Sequence, residues 1–343
     1  MINLIGKITL KKIVNKLKKN INSKKIRGMN DRVYHLLNPF KKLQLAYEYM
    51  MMTKINLYEK MNKEYIDKFF AMKSSIKLND KQVEILERMD KDGIAFGRVE
   101  DFFGEGFFKE LQEEYKRLEE TNKEKIDSVK NLKATNSKPY LIHLINKLHI
   151  SDKTKTINKI VLNKMIPSIA AYYLGMIPRF QGIRLILNLD IPQDDGLIGS
   201  QQWHRDNGSA RFFKAFIYLK DVDEIDGPFE YIKNTHYKGD YWDVLTHSEK
   251  LERQGFYIPD KDMSKYDKVL NENKIRCVGK AGDMVFADTS GIHRGGHCSN
   301  GGSRQIVMLH YFPYFSYRGI DFSMDKSFDF PDDKFMKKVF GLE

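Results

Sequence analysis

Three side chains able to bind a metal ion lie in two separate parts of the chain. Residues 202–206 read Gln-Trp-His-Arg-Asp, and His293 follows the apolar run Met284–Ala287. Side chains two positions apart on an extended strand point to the same side, so His204 and Asp206 would meet at one point. A histidine two residues before an aspartate is common by chance, but a second histidine completes a set that holds iron(II) and leaves positions open. We predict that these three side chains bind one metal ion.

An arginine follows the second histidine by 11 positions. Arg304 opens the apolar run Gln305–Leu309 and is therefore predicted to begin a strand. A guanidinium is always charged and can hold a carboxylate through two parallel N–H···O contacts, a geometry that lysine lacks. Because a chelating 2-oxo acid would fill two open metal positions and dioxygen the third, we predict that Arg304 binds the far carboxylate of that acid.

The predicted elements that position these residues are helices first and strands later. Helical spacing of apolar residues, with stop signals at Gly93 and Gly175, predicts helices at 41–73, 81–89, 107–123 and 156–174. Short apolar runs between Gly, Asp and Asn clusters predict strands at 94–96, 183–189, 212–219, 229–232, 274–278, 284–287 and 305–312. Closely spaced strands of this kind indicate a β-barrel or sandwich.

Four sequence elements, in this order, are typical of one family. They are Trp-His-x-Asp at 203–206, a Gly-Pro to His segment at 227–236, a Gly-Asp to His-x-Gly segment at 282–295, and Arg304. Together they resemble the phytanoyl-CoA dioxygenase family of Fe(II)/2-oxoglutarate enzymes, over roughly residues 91–313. The second element departs from the family pattern, because Lys-Asn-Thr precedes its histidine where Pro-Gly-Ser is usual.

The resemblance implies a fold that is mainly β with helical additions. Its core would be a double-stranded β-helix, the jelly-roll barrel of cupins, preceded by an α-helical N-terminal region. The resemblance also implies Fe(II) at His204, Asp206 and His293, and 2-oxoglutarate as the co-substrate at Arg304. We accordingly divide the chain into a basic amphipathic segment at 1–30, a helical region at 31–90, the dioxygenase domain at 91–320 with an insertion at 237–273, and a C-terminal tail at 321–343.

Further contacts to the co-substrate are candidates only. Many relatives assist the arginine with a hydroxyl two residues after the second histidine, and Gly295 occupies that position here. Ser303 is the candidate substitute. Arg184 and Asn188, on the strand before the ligand segment, are candidates to approach the 2-oxo acid from the other side, although a polar pair satisfied by water explains them equally well. The other histidines in the β-rich region are interpreted as structural: His236, His247, His297 and His310.

The reaction implied by the resemblance converts 2-oxoglutarate and O2 to succinate and CO2 while a substrate is oxidised. Halogenating relatives lack the carboxylate ligand, so Asp206 favours hydroxylation, either of a small molecule or of a glycan- or lipid-linked substrate, while epimerisation and desaturation stay open. Lys238, Lys250 and Lys261 suit an anionic or sugar-like substrate, or form a solvated face. Two rival hypotheses remain: a non-catalytic ligand-binding barrel, and an enzyme of the same chemistry that acts on a lipid-linked substrate at a membrane surface.

Charge and cysteine content limit the partners and the compartment. The net charge is +12, but nine Lys and Arg residues and no acidic residue lie in the first 28 residues, so nucleic-acid binding is not expected. That segment is predicted to lie on an anionic membrane surface, or else to be an ordinary packed helix or a tail. Two cysteines form no disulfide framework, and no apolar run approaches 18 residues, which indicates a cytoplasmic location with peripheral membrane contact as the alternative.

Overall fold

A computed structural model describes residues 55–130, 140–192, 197–206, 208–242, 258, 267–316 and 319–343. Within these ranges an antiparallel β core is packed against helices, which confirms the predicted mainly β fold with helical additions. The segment predicted at 1–28 to be amphipathic lies outside the described residues, as does most of the insertion at 237–273.

The helices of the described residues lie mostly before the barrel strands. In chain order they are α1 Ile55–Met72, α2 Asp80–Asp92, α3 Glu100–Phe103, α4 Phe107–Thr121, α5 Lys123–Lys130, α6 Lys155–Val161, α7 Met165–Leu174, α8 Asp267–Asn273 and α9 Lys334–Val339. Short 3-10 turns lie at Lys73–Ser75, Gly199–Gln201 and Glu224–Asp226.

Helix α2 begins and ends with clear signals. Asn79 Oδ1 accepts a hydrogen bond from Gln82 N, and Gln82 Oε1 accepts one from Asn79 N, both at 2.9 Å, which is a capping box. Gly93 ends the helix at φ +76°, as its stop signal predicted. A Cβ at Gly93 would overlap the Tyr231 hydroxyl and the His236 ring, so glycine is needed for space as well as for conformation.

The single helix predicted at 156–174 is wrong, because the chain forms α6 and α7 there instead. Pro167 lies in the first turn of α7, where its missing N–H costs nothing, whereas in a continuous helix its ring would meet the Asn163 carbonyl. The Asn163 side chain accepts a hydrogen bond from Met165 N and donates one to Phe102 O, both at 2.8 Å. These bonds fix the break between the two helices.

The described strands form two sheets and a small parallel pair. In chain order they are β1 Ile94–Arg98, β2 Leu141–Ile145, β3 Leu148–Ile150, β4 Arg179–Leu189, β5 Phe213–Tyr218, β6 Phe229–Ile232, β7 Lys274–Cys277, β8 Asp283–Ala287, β9 His293–Gly295, β10 Ser303–Phe312 and β11 Phe322–Met324. Strands β2, β3, β9 and β11 were not predicted.

The two sheets face each other across a cavity. The major sheet has the order β1-β8-β5-β10-β4-β2, and every neighbouring pair is antiparallel. The minor sheet has the order β7-β6-β9, also antiparallel, while β3 and β11 pair in parallel. Residues from both sheets line the cavity, which is the arrangement of a double-stranded β-helix.

Strand β10 shows how one strand serves both the core and the cavity. Val307, Leu309 and Tyr311 are buried in the large apolar core that the helices cover. The residues between them face the cavity, as alternation along a strand requires: Arg304, Ile306, Met308, His310 and Phe312. The strand therefore fixes the spacing of the polar side chains in the cavity.

The C-terminal residues 321–343 contain β11 and α9. The Phe340 ring, which follows α9, packs against Phe180 of β4 with ring centroids 4.9 Å apart and against Phe322 of β11 at 5.5 Å. Phe340 is 1% exposed. This region therefore supports the strand that carries Arg184 and Asn188.

Candidate metal centre

The structure brings His204, Asp206 and His293 together. Each offers one ligand atom, and these atoms lie within 4.8 Å of one another. The backbones of His204 and His293 exchange two hydrogen bonds of 2.9 Å, which joins the two ligand segments directly. Asp206 N donates to Thr289 O at 2.8 Å and fixes the carboxylate beside them. The three side chains that the sequence suggested as metal ligands therefore lie close together.

Each histidine is oriented by a bond to the backbone two residues before it. His204 Nδ1 donates to Gln202 O at 2.8 Å, and His293 Nδ1 donates to Gly291 O at 3.0 Å. A ring that donates through Nδ1 presents Nε2 to a metal. Burial, and next the neighbouring His204, lower the pKa of His293 to about 3. The imidazole is therefore neutral at pH 7, the form that binds metals.

A buried carboxylate connects the loops that carry the ligands. Asp288 Oδ1 accepts hydrogen bonds from Phe212 N at 3.0 Å and Ser290 N at 2.9 Å, and Oδ2 accepts one from the Tyr173 hydroxyl at 2.6 Å. Asp288 is 0% exposed. Asp288 lies within the Gly-Asp to His-x-Gly segment at 282–295, and no role was predicted for it from the sequence. The structure shows that it holds the segment after Asp206 against the segment before His293.

The ligand cluster opens into a cavity of about 460 Å³ between the two sheets. The pairing of β10 with β4 in the major sheet arranges the side chains that line this cavity in successive cross-strand pairs. Arg304 pairs with Asn188 at one end, and the next row is the apolar pair Ile306 and Ile186. Met308 then pairs with Arg184, which lies further from Arg304. Arg184, Asn188 and Arg304 all line the cavity.

Arg304 is a buried cation with unused donors. It is 6% exposed, and its Nε and Nη1 atoms have no hydrogen-bond partner among the described residues. Asn188 Nδ2, across the strand pair, also has none. A Cβ at Gly295 would lie 3.6 Å from Arg304 Nη2, so the glycine leaves space where many relatives carry a hydroxyl. Buried donors of this kind fit a carboxylate ligand.

Two of the candidate co-substrate contacts have other partners. Arg184 Nη2 binds Asp321 Oδ2 at 2.8 Å at the rim of the cavity. Ser303 lies beside Arg304 on β10, so its side chain points to the opposite face, where the hydroxyl is 3.5 Å from Lys220 Nζ. The structure therefore does not bring the Ser303 hydroxyl to Arg304.

Lys214 contacts a candidate metal ligand and was not predicted from the sequence. Its Nζ contacts Asp206 Oδ2, and the two side chains are 12% and 16% exposed. Lys214 begins the run of cavity residues on β5 and pairs with His310 of β10. The one sequence signal that could have found Lys214 is its position two residues before Phe216 in a predicted strand, which puts both side chains on the same face.

The other histidines and lysines considered in the sequence have different locations. His310 lines it and lies 2.7 Å from Gln181 Oε1 through Nδ1. His236 is buried, which lowers its pKa, and its Nε2 donates to Asp90 O at 3.2 Å. Lys238 is not among the lining residues, while His247, Lys250 and Lys261 lie outside the described residues.

Comparison with protein families identifies this arrangement. The model described as phytanoyl-CoA dioxygenase (PhyH) matches residues 89–306, more than half of the chain. The chain belongs to the phytanoyl-CoA dioxygenase family. This family uses Fe(II) and 2-oxoglutarate, so the protein is a non-haem iron oxygenase that takes O2 and a small-molecule substrate. The matched range contains the ligand cluster and Arg304.

Several solved structures are similar at low identity. EctD from S. alaskensis in its apoform is 15% identical, with 72% of this chain and 88% of that chain covered and a TM-score of 0.46. HygX from Streptomyces hygroscopicus with iron bound is 12% identical, with 69% and 88% covered and a TM-score of 0.43. The epimerase SnoN from nogalamycin biosynthesis is 15% identical, with 68% and 83% covered and a TM-score of 0.44. No curated protein matches the chain. Membership of the phytanoyl-CoA dioxygenase family rests on the family model alone.

Among the described residues, no helix is both long enough and apolar enough to cross a bilayer.

Proposed function

We propose that His204, Asp206 and His293 hold Fe(II), that Arg304 binds the far carboxylate of 2-oxoglutarate, and that the enzyme hydroxylates a small molecule. One observation carries the proposal. Three metal-ligand side chains converge within 4.8 Å in a cavity that also contains a buried guanidinium with unused donors. The cavity thus offers one place for a metal and another for the co-substrate acid.

Each residue has a defined task in this proposal. With iron, 2-oxoglutarate and O2 bound, the centre supplies the oxidising power to hydroxylate a C–H bond. His204 and His293 present their Nε2 atoms to the metal because their Nδ1–H groups are held by backbone carbonyls. Asp206 supplies the negative ligand, whose presence favours hydroxylation over halogenation. Arg304 orients the co-substrate through its fork of donors, with Asn188 Nδ2 close by on the paired strand.

The domain division and the location are part of the same proposal. We assign catalysis to residues 91–320 and a supporting role to the helical region at 31–90. The segment at 1–28 provides peripheral contact with a membrane surface of a cytoplasmic enzyme, supported by its nine basic and no acidic residues. Deleting 1–28 and measuring the partition between membrane and soluble fractions tests this, and an unchanged partition removes the membrane contact.

The iron site is tested by anaerobic titration of the protein with Fe(II) and 2-oxoglutarate. The wild type is expected to form the weak visible charge-transfer band of the chelate, and His204→Ala to abolish it. Arg304→Ala is expected to keep the band but to require a higher 2-oxoglutarate concentration. Losing one charge-assisted contact costs about 1.5–3 kcal/mol, which is roughly tenfold or more in affinity.

Two further variants make the titration decisive. Arg304→Lys keeps the charge but loses the fork, so its affinity for 2-oxoglutarate is expected to lie between that of the wild type and Arg304→Ala. Lys280→Ala removes an exposed cation paired with Asp221 and should change nothing. A band that survives His204→Ala, or a 2-oxoglutarate requirement unaltered in Arg304→Ala, would contradict the assignment.

A further inference from the structure

The end of the cavity away from Arg304 carries its own positive charge. Strand β10 is flanked by β4 and β5, which place Arg184 opposite Met308 and Lys214 opposite His310. His310 lies six residues from Arg304, or roughly 20 Å along the strand. Arg184 and Lys214 therefore lie on either side of the distal part of β10, and both line the cavity.

An apolar row separates these cations from the proposed co-substrate position. Ile306 pairs with Ile186 on one side and Tyr218 on the other, and all three line the cavity. The Tyr218 hydroxyl donates to Cys277 O at 2.7 Å and so contributes its ring to this row. The cavity thus has a cationic end at Arg304, an apolar middle, and a second polar end.

The charges of the described lining residues do not balance. Four cations line the cavity, Arg184, Arg205, Lys214 and Arg304, against one lining carboxylate, Asp206, and Asp321, which pairs with Arg184 at the rim. With the centre loaded, Asp206 and the chelating carboxylate of 2-oxoglutarate would balance Fe(II), and the far carboxylate would balance Arg304. A ligand with negative charge is favoured in such a space.

Two of these cations are already assigned. Arg304 has its proposed partner in 2-oxoglutarate. Arg205 donates to Ser290 O at 2.7 Å and to Trp242 O at 3.2 Å, and its guanidinium stacks 4.9 Å from the Trp242 ring centroid, so it serves the structure. Arg184 already pairs with Asp321, so the positive charge that remains for a substrate comes mainly from Lys214, with Arg184 as a second donor beside it.

Two buried polar atoms of residues that line the cavity also point to a ligand. Arg184 is held at the rim by Asp321, yet its buried Nε has no hydrogen-bond partner among the described residues. Thr289, 1% exposed, lines the cavity next to the ligand cluster, and its Oγ1 likewise has none in that part of the chain. Buried polar atoms of this kind are normally satisfied by a ligand or an ordered water.

We propose that the substrate is a small organic acid whose carboxylate or phosphate group binds between Lys214 and Arg184, so that the cavity holds two acids at once. This inference rests on the proposed function and adds the substrate class to it. Lys214 contacts Asp206, so an acid group bound there lies next to the proposed metal. The carbon to be oxidised is then close to that acid group.

The proposal is tested by anion binding to the loaded enzyme. The full-length protein is saturated with Ni(II), as a redox-inert replacement for iron, and with 2-oxoglutarate, which fills the Arg304 end. Inorganic phosphate and, separately, propionate are then titrated by calorimetry at low ionic strength. Saturable one-to-one binding of at least one anion is expected, and the anion that binds tells whether a phosphate or a carboxylate is preferred.

Matched variants locate the binding site. Lys214→Met and Arg184→Met are each expected to weaken anion binding about tenfold or more, while Lys214→Arg keeps it. Lys280→Met, at a cation whose side chain is 73% exposed, is the control and should have no effect. The Kd for Ni(II) is measured in each variant, because Lys214 contacts a proposed ligand.

The outcomes separate this inference from the proposed function. If Ni(II) and 2-oxoglutarate bind but neither anion binds saturably, the acid-substrate inference is overturned and the iron site stands. Anion binding that is equally strong in Lys214→Met and Arg184→Met also overturns it, because the anion then lies elsewhere. If Ni(II) and 2-oxoglutarate fail to bind the wild type, the proposed function itself fails.

Discussion

Replacing Asp288 tests whether a buried carboxylate sets the geometry of the metal ligands. Asp288→Ala removes the acceptors of three buried donors: Phe212 N, Ser290 N and the Tyr173 hydroxyl. Each buried donor left without a partner costs about 1–3 kcal/mol, so the variant is expected to lose roughly 3–9 kcal/mol of unfolding free energy. A typical domain has only about 5–15 kcal/mol in total.

Two milder variants separate stability from ligand positioning. Asp288→Asn keeps one oxygen for the two backbone N–H groups and turns its amide toward Tyr173, so a loss of roughly 1–2 kcal/mol is expected. Tyr173→Phe removes one charge-assisted bond, at about 1.5–3 kcal/mol, but leaves both backbone contacts of Asp288 in place. Only loss of the backbone contacts should disturb the ligand loops.

The assay pairs urea unfolding with the Kd for Ni(II), measured at a temperature where circular dichroism shows the variant folded. Asp288→Ala is expected to raise the Kd by about 10–100-fold, the usual effect of removing a support of metal ligands. Tyr173→Phe should lose stability with little change in Kd. A folded Asp288→Ala protein with wild-type metal affinity would refute the reasoning, as would a Tyr173→Phe protein with the same loss of affinity as Asp288→Ala.

Three further expectations concern the surroundings of the site. Gly291→Ala places a Cβ on the Tyr231 hydroxyl, so the free energy of unfolding should fall by about 1–3 kcal/mol in urea titrations; an unchanged midpoint would contradict the packing. Burial lowers the pKa of His236 in the folded protein. Below about pH 6.5 the unfolded state therefore binds more protons than the folded state, and the free energy of unfolding falls as the pH drops, by up to about 1.4 kcal/mol per pH unit. His236→Gln should remove that part of the slope between pH 7 and 5, and an identical slope would contradict it. Ni(II) at about 100 times its Kd should add about 2.7 kcal/mol of unfolding free energy, and none in His293→Ala.

The sequence predicted the parts of the fold that depend on local patterns. Apolar runs between turn residues predicted most of the barrel strands. The helical spacing of apolar residues predicted α2, and Gly93 predicted where it ends. The predicted ligands converge because two short motifs fix local geometry, the alternation at 204–206 and the turn before His293. Such features require no knowledge of distant contacts.

Features that depend on distant contacts were missed. Lys214 carries no local sign of function, and only the pairing of β5 with β10 and β8 brings it to Asp206. Strands β3 and β11 are too short to show alternation and exist because residues far apart in sequence pair. Pro167 indicates a break between α6 and α7, but the helical spacing of apolar residues continues on both sides of it and led to the prediction of one helix.

The position of β10 has a consequence for synthesis on the ribosome. This strand is made after β4, β5 and β8, yet it lies between β4 and β5 in the finished sheet. Until Ser303–Phe312 has left the exit tunnel, the facing edges of β4 and β5 lack their central partner, and apolar edges of this kind tend to pair with other chains. A nascent chain halted before residue 303 should therefore bind chaperones and remain open to proteases, and release of β10 should end both.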